Sequence, residues 1–450
     1  MTKRSRNLTE GDVKKHLMQL TWPMLLGLIG MVIFNLIDTY FVGKLGVQQL
    51  AAMSFSFPVV MFLNSVAMGV GIGTTSLISR NIIHADKNEV KAMSGRAMVL
   101  GLIVVLVFVT IGLLTIRPLF TALGAETDVL KYVDDYMTIW YFGVPFVVIP
   151  MIGNNIVRAT GDTFTPGMIM LFSAVVNAIL DPFMIFGYGP FPEMGIKGAA
   201  WATVITRSMG LVAILYILIK RNKMLTFRLD GLRNTLSTWK KVLYVGGPAS
   251  LSMLITPISV GLITKILAGF GKEAVAAFGV ASRVEMFALM VVAALGSVLI
   301  IFVGQNFSKQ KFDRIKQALT LSFKFSLIWG AAVFVVLLFL GDSIAALFST
   351  DAQVVEITIK YFYIIGASYG FLGMLMLSTS SFNGINKPLP STVFSMIRML
   401  IIYVPLAWLG SVLFGISGVF WAGLLANILV GIFAARYLFK TVKRVEVATA

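Results

Sequence analysis

The stretch Met194-Gly-Ile-Lys-Gly-Ala-Ala-Trp201-Ala202 returns near the end of the chain as Phe414-Gly-Ile-Ser-Gly-Val-Phe-Trp421-Ala422. Two segments sharing a Gly-Ile-x-Gly core and a tryptophan in the same place point to a duplicated unit. Working outward, the two halves fall into register at an offset of about 225 residues. Pro23 matches Pro248, Gly46-x4-Ala51-Ala52 matches Gly271-x4-Ala276-Ala277, and Asn81 matches Asn306. Glu126 and Tyr136 fall on Asp351 and Tyr361. Small deletions shift the offset, so Gly161-Asp162-x3-Pro166 lies opposite Ile385-Asn386-x3-Pro390.

The repeated unit is apolar throughout. Of 450 residues, 58% are hydrophobic and only 13% are charged, with a mean hydropathy of +0.89. A soluble domain of this size needs far more charge to cover its surface. Runs such as Met98–Ile116 and Leu327–Leu340 recur between short polar or Gly/Pro-containing connections, which suits membrane spans of roughly 20 residues. Alternation with period two is absent, which argues against an outer-membrane barrel. The expected fold is an all-α integral membrane protein of twelve transmembrane helices. The spans are placed at 16–41, 50–77, 95–116, 132–156, 166–188, 197–219, 241–267, 275–303, 317–340, 356–380, 391–413 and 417–438. Six spans per repeat is an even number, so the two lobes have parallel topology. The expected organisation is an N-terminal tail at 1–15, an N-lobe at 16–219, a linker at 220–240, a C-lobe at 241–438 and a C-terminal tail at 439–450.

Orientation comes from the formal net charge of +17. With the N-terminus cytoplasmic, roughly 26 Lys/Arg fall inside, roughly 7 outside and about 4 within spans. Arg80–Arg96, Lys220–Lys241 and Lys309–Lys324 are inside segments, whereas Glu126–Asp135 and Asp342–Asp351 lie outside. Both termini are therefore expected in the cytoplasm, with the chain in the inner membrane. Charge dispersed over membrane-flanking loops does not call for a nucleic-acid partner. The first apolar segment is too long for a leader's core and lacks a cleavage site, so it reads as the first span. Cysteine is absent, which excludes disulfide and thiol chemistry.

An ionisable side chain at bilayer depth costs roughly 2.5–3.5 kcal/mol on insertion scales and so marks a functional position. Asp38 lies toward the outer end of span 1, with Asn35 three residues earlier on the same helical face. Pro23 removes a backbone hydrogen bond from this helix and makes a natural hinge. Span 5 carries Asn177 and Asp181 at i, i+4, followed by Pro182. Carboxylates flanked by amides form an oxygen-lined pocket able to hold a shared proton or a monovalent cation such as Na⁺. The competing reading puts Asp38 at the membrane interface and makes Asp181 a cap before Pro182. In the second half, Arg283 and Glu285 form a C-lobe polar site or serve structure alone; Lys265, Arg207 and Arg398 snorkel or find internal partners. No metal-spaced His/Cys set, phosphate loop or nucleophile–base pair is visible, so no enzyme activity, metal site or cofactor is expected beyond H⁺ or Na⁺. Without a nucleotide motif, transport would draw on an ion gradient.

These residues together resemble the multidrug and toxic compound extrusion (MATE) transporters over nearly the whole chain. The marks are Pro23 and Asp38, Arg158-Ala-Thr-Gly161-Asp162-Thr163-x-x-Pro166, Asn177-x3-Asp181-Pro182, and Gly195-x2-Gly198-Ala-Ala-x-Ala-Thr203. The resemblance implies a V-shaped pair of six-helix lobes exporting amphipathic, often cationic drugs in exchange for H⁺ or Na⁺. It is nearest the DinF-like branch, which implies that Asn154 and Thr203 join Asp38, Asn177 and Asp181 around an ion-coupling pocket. It further implies that Tyr136 and Met170 line a drug chamber with Asp38, Asn35 and Asn177. The NorM-like branch has an acid in span 7; here Val242–Leu267 has none, and Glu285 is the nearest substitute. A monomer embedded in membrane lipid is expected to suffice.

The alternative function is a lipid or lipid-linked oligosaccharide flippase, with a cationic cavity built from Arg207, Lys265, Arg283 and Arg398. A non-transporting scaffold or channel is the third class; the buried carboxylates and the proline-bent helix argue against it. At the repeat offset Asp38 falls on Ile263, Asn35 on Val260, Asn177 on Ile401 and Asp181 on Pro405, so the coupling chemistry is expected in the N-lobe alone.

Overall fold

In lipid every backbone N–H and C=O must be satisfied within its own segment, so apolar runs of this length become helices. The computed structural model describes residues 7–122, 127–226 and 231–449, and within them the regular structure is helical throughout. Glu126, Lys3, Arg4 and Arg6 lie outside the described residues. The helices are α1 Val13–Gly43, α2 Val47–Asn81, α3 Lys87–Ala122, α4 Thr127–Ala159, α5 Phe164–Phe186 and α6 Ile196–Tyr216. They continue with α7 Leu232–Ala268, α8 Lys272–Ser308, α9 Phe312–Ala346, α10 Ala352–Ile365, α11 Tyr369–Gly384, α12 Pro388–Met396 and α13 Val404–Thr449. A 3₁₀ turn at Gly366–Ser368 joins α10 to α11, and a π-helical turn at Ile397–Tyr403 joins α12 to α13.

Eleven helical stretches among the described residues are long and apolar enough to cross a membrane. The last, Pro388–Thr449, has 62 residues, about twice what one crossing needs. It breaks at Gly415, where φ is 62° and ψ −145°, which yields the eleventh and twelfth spans. Gly195, its counterpart in the opening motif, holds φ 56° and ψ −132° at the start of α6. The repeated Gly-Ile-x-Gly thus encodes a backbone conformation that essentially only glycine adopts.

Other repeat positions behave alike. Asn81 and Asn306 each turn their amide back onto the helix, donating to the Leu77 carbonyl at 2.7 Å and the Phe302 carbonyl at 2.8 Å. The left-handed residue after α4 is Gly161, and after α11 it is Asn386. Conformation therefore pairs Gly161 with Asn386, one residue away from the expected match to Ile385. The gap lies inside the turn itself, where a lost residue costs least.

The chain forms two compact units that do not follow the expected boundaries. One is built mainly from Trp22–Ser250, the other from Leu8–Thr21 together with Leu251 onward. The early part of α7 packs with α2 and α3: the Trp239 indole donates to the Arg96 carbonyl at 2.9 Å, and Ser250 reaches toward the Val66 carbonyl. Conversely, the segment before α1 is strapped to α8 and α9. Leu8 N–H donates to Gln305, Asn306 donates to the Leu8 carbonyl, and Lys311 donates to the Thr9 carbonyl. The Arg314 guanidinium donates to the carbonyls of Leu8, Glu10 and Gly11 and to Asn306. Each repeat's first helix thus begins on one unit and ends in the other, changing over beside Pro23 in α1 and just past Pro248 in α7.

Removing the Arg314 fork breaks several charge-assisted bonds at once. In Arg314→Ala, local opening of the Leu8–Gly11 strap should rise about tenfold or more, since such bonds contribute roughly 1.5–3 kcal/mol each. Faster tryptic cleavage at Lys14–Lys15, with helicity unchanged, is the readout.

Candidate functional site

The site begins with the packing of α1 on α5. A methyl group built on Gly167 would strike the Pro23 carbonyl, one on Gly27 would lie 3.1 Å from the Gly167 Cα, and one on Gly30 would lie 3.1 Å from the Leu171 Cα. Small residues let the two backbones approach closely. That approach brings Asp38, far along α1, into the field of Asp181 on α5.

Asp38, Asn177 and Asp181 are all buried. The Asn177 amide donates to Asp181 Oδ1 at 2.9 Å, as the i, i+4 spacing on α5 predicts. α5 runs through Pro182 to Phe186, so Asp181 does not cap a helix end. Arg207 on α6 faces Asp38 electrostatically and holds its guanidinium 4.2 Å from the centre of the Phe34 ring. Tyr136 on α4 is buried within the field of both carboxylates.

Among the described residues, buried oxygens without a hydrogen-bond partner include Asp38 Oδ1, Asn177 Oδ1 and Asp181 Oδ2, and, on α4 and α6, Asn154 Oδ1, Thr203 Oγ1 and Thr206 Oγ1. Buried polar groups are normally satisfied, so the unpartnered oxygens of Asp38, Asn177 and Asp181 mark a place that takes a proton, an ion or water. Asn154 and Thr203 sit on α4 and α6, which pack along one another. No group of three or more His, Cys, Asp or Glu able to hold a metal is present among the described residues.

Asn35 and Met170, which the resemblance assigns to a drug chamber, lie outside the buried set. Asn35 is exposed, and Phe34, one residue before it, is the buried side chain that meets Arg207. Met170 lies near the start of α5, packed toward Gly27 and contacted by the Arg158 guanidinium at 3.3 Å. It is about 16 Å along the helix from Asp181, at 1.5 Å per residue. α1 stays one helix across Pro23.

The Arg158–Pro166 motif turns out to be structural. Asp162 accepts from the Thr165 N–H at 3.0 Å and from its hydroxyl at 2.7 Å, and Arg221 pairs with it at 4.0 Å, fastening the start of α5. In the other lobe Arg283 is exposed and Glu285 half-buried. Glu285 accepts from the Tyr361 hydroxyl on α10 at 2.8 Å, a partner on a neighbouring helix, while Arg283 on the same helix points elsewhere. Residues two apart on a helix point in different directions. Arg207 finds internal partners in Asp38 and Phe34; Phe34 was not singled out by the sequence, where the available signal was that Thr203 and Arg207 share a face at i, i+4.

The MatE family model matches residues 23–183 and 248–409. The FAD transporter of Shewanella oneidensis is 38% identical over 434 residues, covering 96% of this chain and 95% of that protein. A probable multidrug resistance protein of Bacillus subtilis, YoeA, is 28% identical, covering 86% and 84%. The crystal structure of the Vibrio cholerae MATE transporter VcmN in the bent form superposes with a TM-score of 0.91 at 32% identity, covering 96% of this chain and 98% of that one.

Gly167→Val should drive a side chain into the Pro23 carbonyl at a cost of about 1–3 kcal/mol. Gly210→Ala meets its nearest atom at 3.6 Å and should be nearly neutral. Thermal unfolding of the detergent-solubilised variants distinguishes the two.

Proposed function

This chain belongs to the MatE family of transporters, and from that premise we propose that it is a cation-coupled multidrug antiporter of the inner membrane, working by alternating access with Asp38 as the coupling residue. The observation that carries the reading is the buried Asp38–Asn177–Asp181 set with its unpartnered oxygens. An ionised pair of carboxylates opposed by one guanidinium leaves an excess of negative charge, which suits an amphipathic organic cation. Binding of a proton at Asp38 from the outer side cancels that attraction and releases the substrate. The ion drives transport only through its different affinity for the two states.

A second substrate, a flavin dinucleotide, is favoured by the 38% identity to the Shewanella FAD transporter. Flippase activity is disfavoured. Arg207 and Arg398 each face an acid in their own lobe, while Lys265 and Arg283 are exposed, so the four do not form one cationic binding surface.

In proteoliposomes, an imposed pH gradient should drive uptake of ethidium, and Asp38→Asn should abolish it at normal expression and Tm. A coupling of this kind typically changes affinity about 5–150-fold. Robust ethidium transport by Asp38→Asn would sink the proposal. Running Na⁺ gradients and FAD in parallel separates the coupling ions and the two substrates.

A further inference from the structure

The C-terminal lobe holds a second polar cluster that this mechanism leaves unused. Glu285 on α8 accepts the Tyr361 hydroxyl at 2.8 Å. Arg398, in the π-helical turn between α12 and α13, donates to Asn427 Oδ1 at 3.1 Å. Asn427 donates in turn to the Ser368 hydroxyl at 2.9 Å, in the 3₁₀ turn between α10 and α11. The polar side chains therefore gather where two helices depart from regular winding, a frequent mark of functional sites.

Glu285 and Arg398 attract one another, yet among the described residues they form no direct ion pair, and both are only half-buried. Around them the hydroxyls of Tyr369 and Tyr403 have no hydrogen-bond partner, although Tyr369 is 1% and Tyr403 7% exposed. Both tyrosines lie in the field of Glu285. Two orphaned hydroxyls beside a separated acid and base describe a site built for something that hydrogen-bonds to all of them.

The charge plan says what. One carboxylate and one guanidinium sum to zero, so a bare cation meets Arg398 and a bare anion meets Glu285. The geometry points to a recognition site for a zwitterionic group, its ammonium on Glu285 and its carboxylate on Arg398, with Tyr369 and Tyr403 donating or accepting between them. This inference rests on the exporter reading and extends it: the N-lobe selects cations, the C-lobe dipolar substrates. The duplication supports the placement. Tyr361 is the repeat counterpart of Tyr136, and Asn427 that of Arg207, so two members of the cluster stand at positions the N-lobe site also uses, while Glu285 and Arg398 are the C-lobe's own.

Purified full-length protein in nanodiscs, titrated at neutral pH with zwitterionic norfloxacin, its cationic ethyl ester and ethidium, tests the idea. Arg398→Gln and Glu285→Gln should each weaken norfloxacin binding about tenfold or more, leaving ethidium unchanged. The ester, lacking a carboxylate, should not respond to Arg398→Gln. Tyr403→Phe, which removes only an orphaned hydroxyl, should weaken norfloxacin severalfold with no change in Tm. Undiminished norfloxacin affinity in Arg398→Gln overturns the proposal, as does full affinity in Tyr403→Phe when both charge variants lose ethidium and norfloxacin alike. Because these are binding measurements away from Asp38, failure of Asp38-dependent ethidium transport would overturn the exporter reading while leaving them standing.

Discussion

Where α1 crosses α5, the Pro23 carbonyl lies over Gly167, and Gly27 and Gly30 continue the seam. In lipid, apolar side chains gain little from meeting one another rather than acyl chains, so helix pairs depend on close packing. Glycine at these positions removes the side chains that would hold the backbones apart. Farther along the same pair of helices the proximity acquires a chemical consequence, because Asp38 and Asp181 come into one another's field. Two carboxylates brought together out of water cannot both remain ionised without a counter-charge, and Arg207 from α6 supplies one. The packing of small residues near one end of the pair thus prepares the electrostatics near the other.

The two lobes use one scaffold for different charge plans. Gly195 and Gly415 adopt the same unusual conformation, Asn81 and Asn306 make the same back-bond, and Tyr136 and Tyr361 are both buried beside an acid. Yet the acids themselves come from different places: α1 and α5 in one lobe, α8 in the other. Duplication preserved the backbone, which the membrane constrains everywhere, and released the polar side chains, which only function constrains. Each repeat's first helix also divides between the two units, the early part of α1 and of α7 packing with one and the rest with the other.

Much of this was legible in the chain. Twelve spans follow from apolar run lengths, and the internal repeat follows from a handful of glycines, prolines and tryptophans. The Asn177–Asp181 bond follows from i, i+4 spacing on one helix. What escaped were pairings between helices. Asn35 looked like the partner of Asp38 because they share a helical face, but the helix is turned so that Phe34 is buried and Asn35 exposed. Sequence places a residue along a helix and says less about which neighbour it meets, so neither Met170 beside Arg158 nor Tyr361 on Glu285 could be read from it. The unit boundaries escaped because a continuous helix shows no compositional break where its packing partner changes.

The amino-acid sequence by itself determined the membrane fold, the duplication and the carriers of intramembrane charge, since hydropathy, special backbone angles and the cost of burying an ion are properties of residues and short segments. Tertiary structure alone decided that Arg207 faces Asp38, that Tyr361 meets Glu285, and that the hydroxyls of Tyr369 and Tyr403 end without a partner beside them. Those contacts depend on the rotation and depth of each helix against its neighbours, which the summed packing of whole helix faces sets and no local stretch encodes.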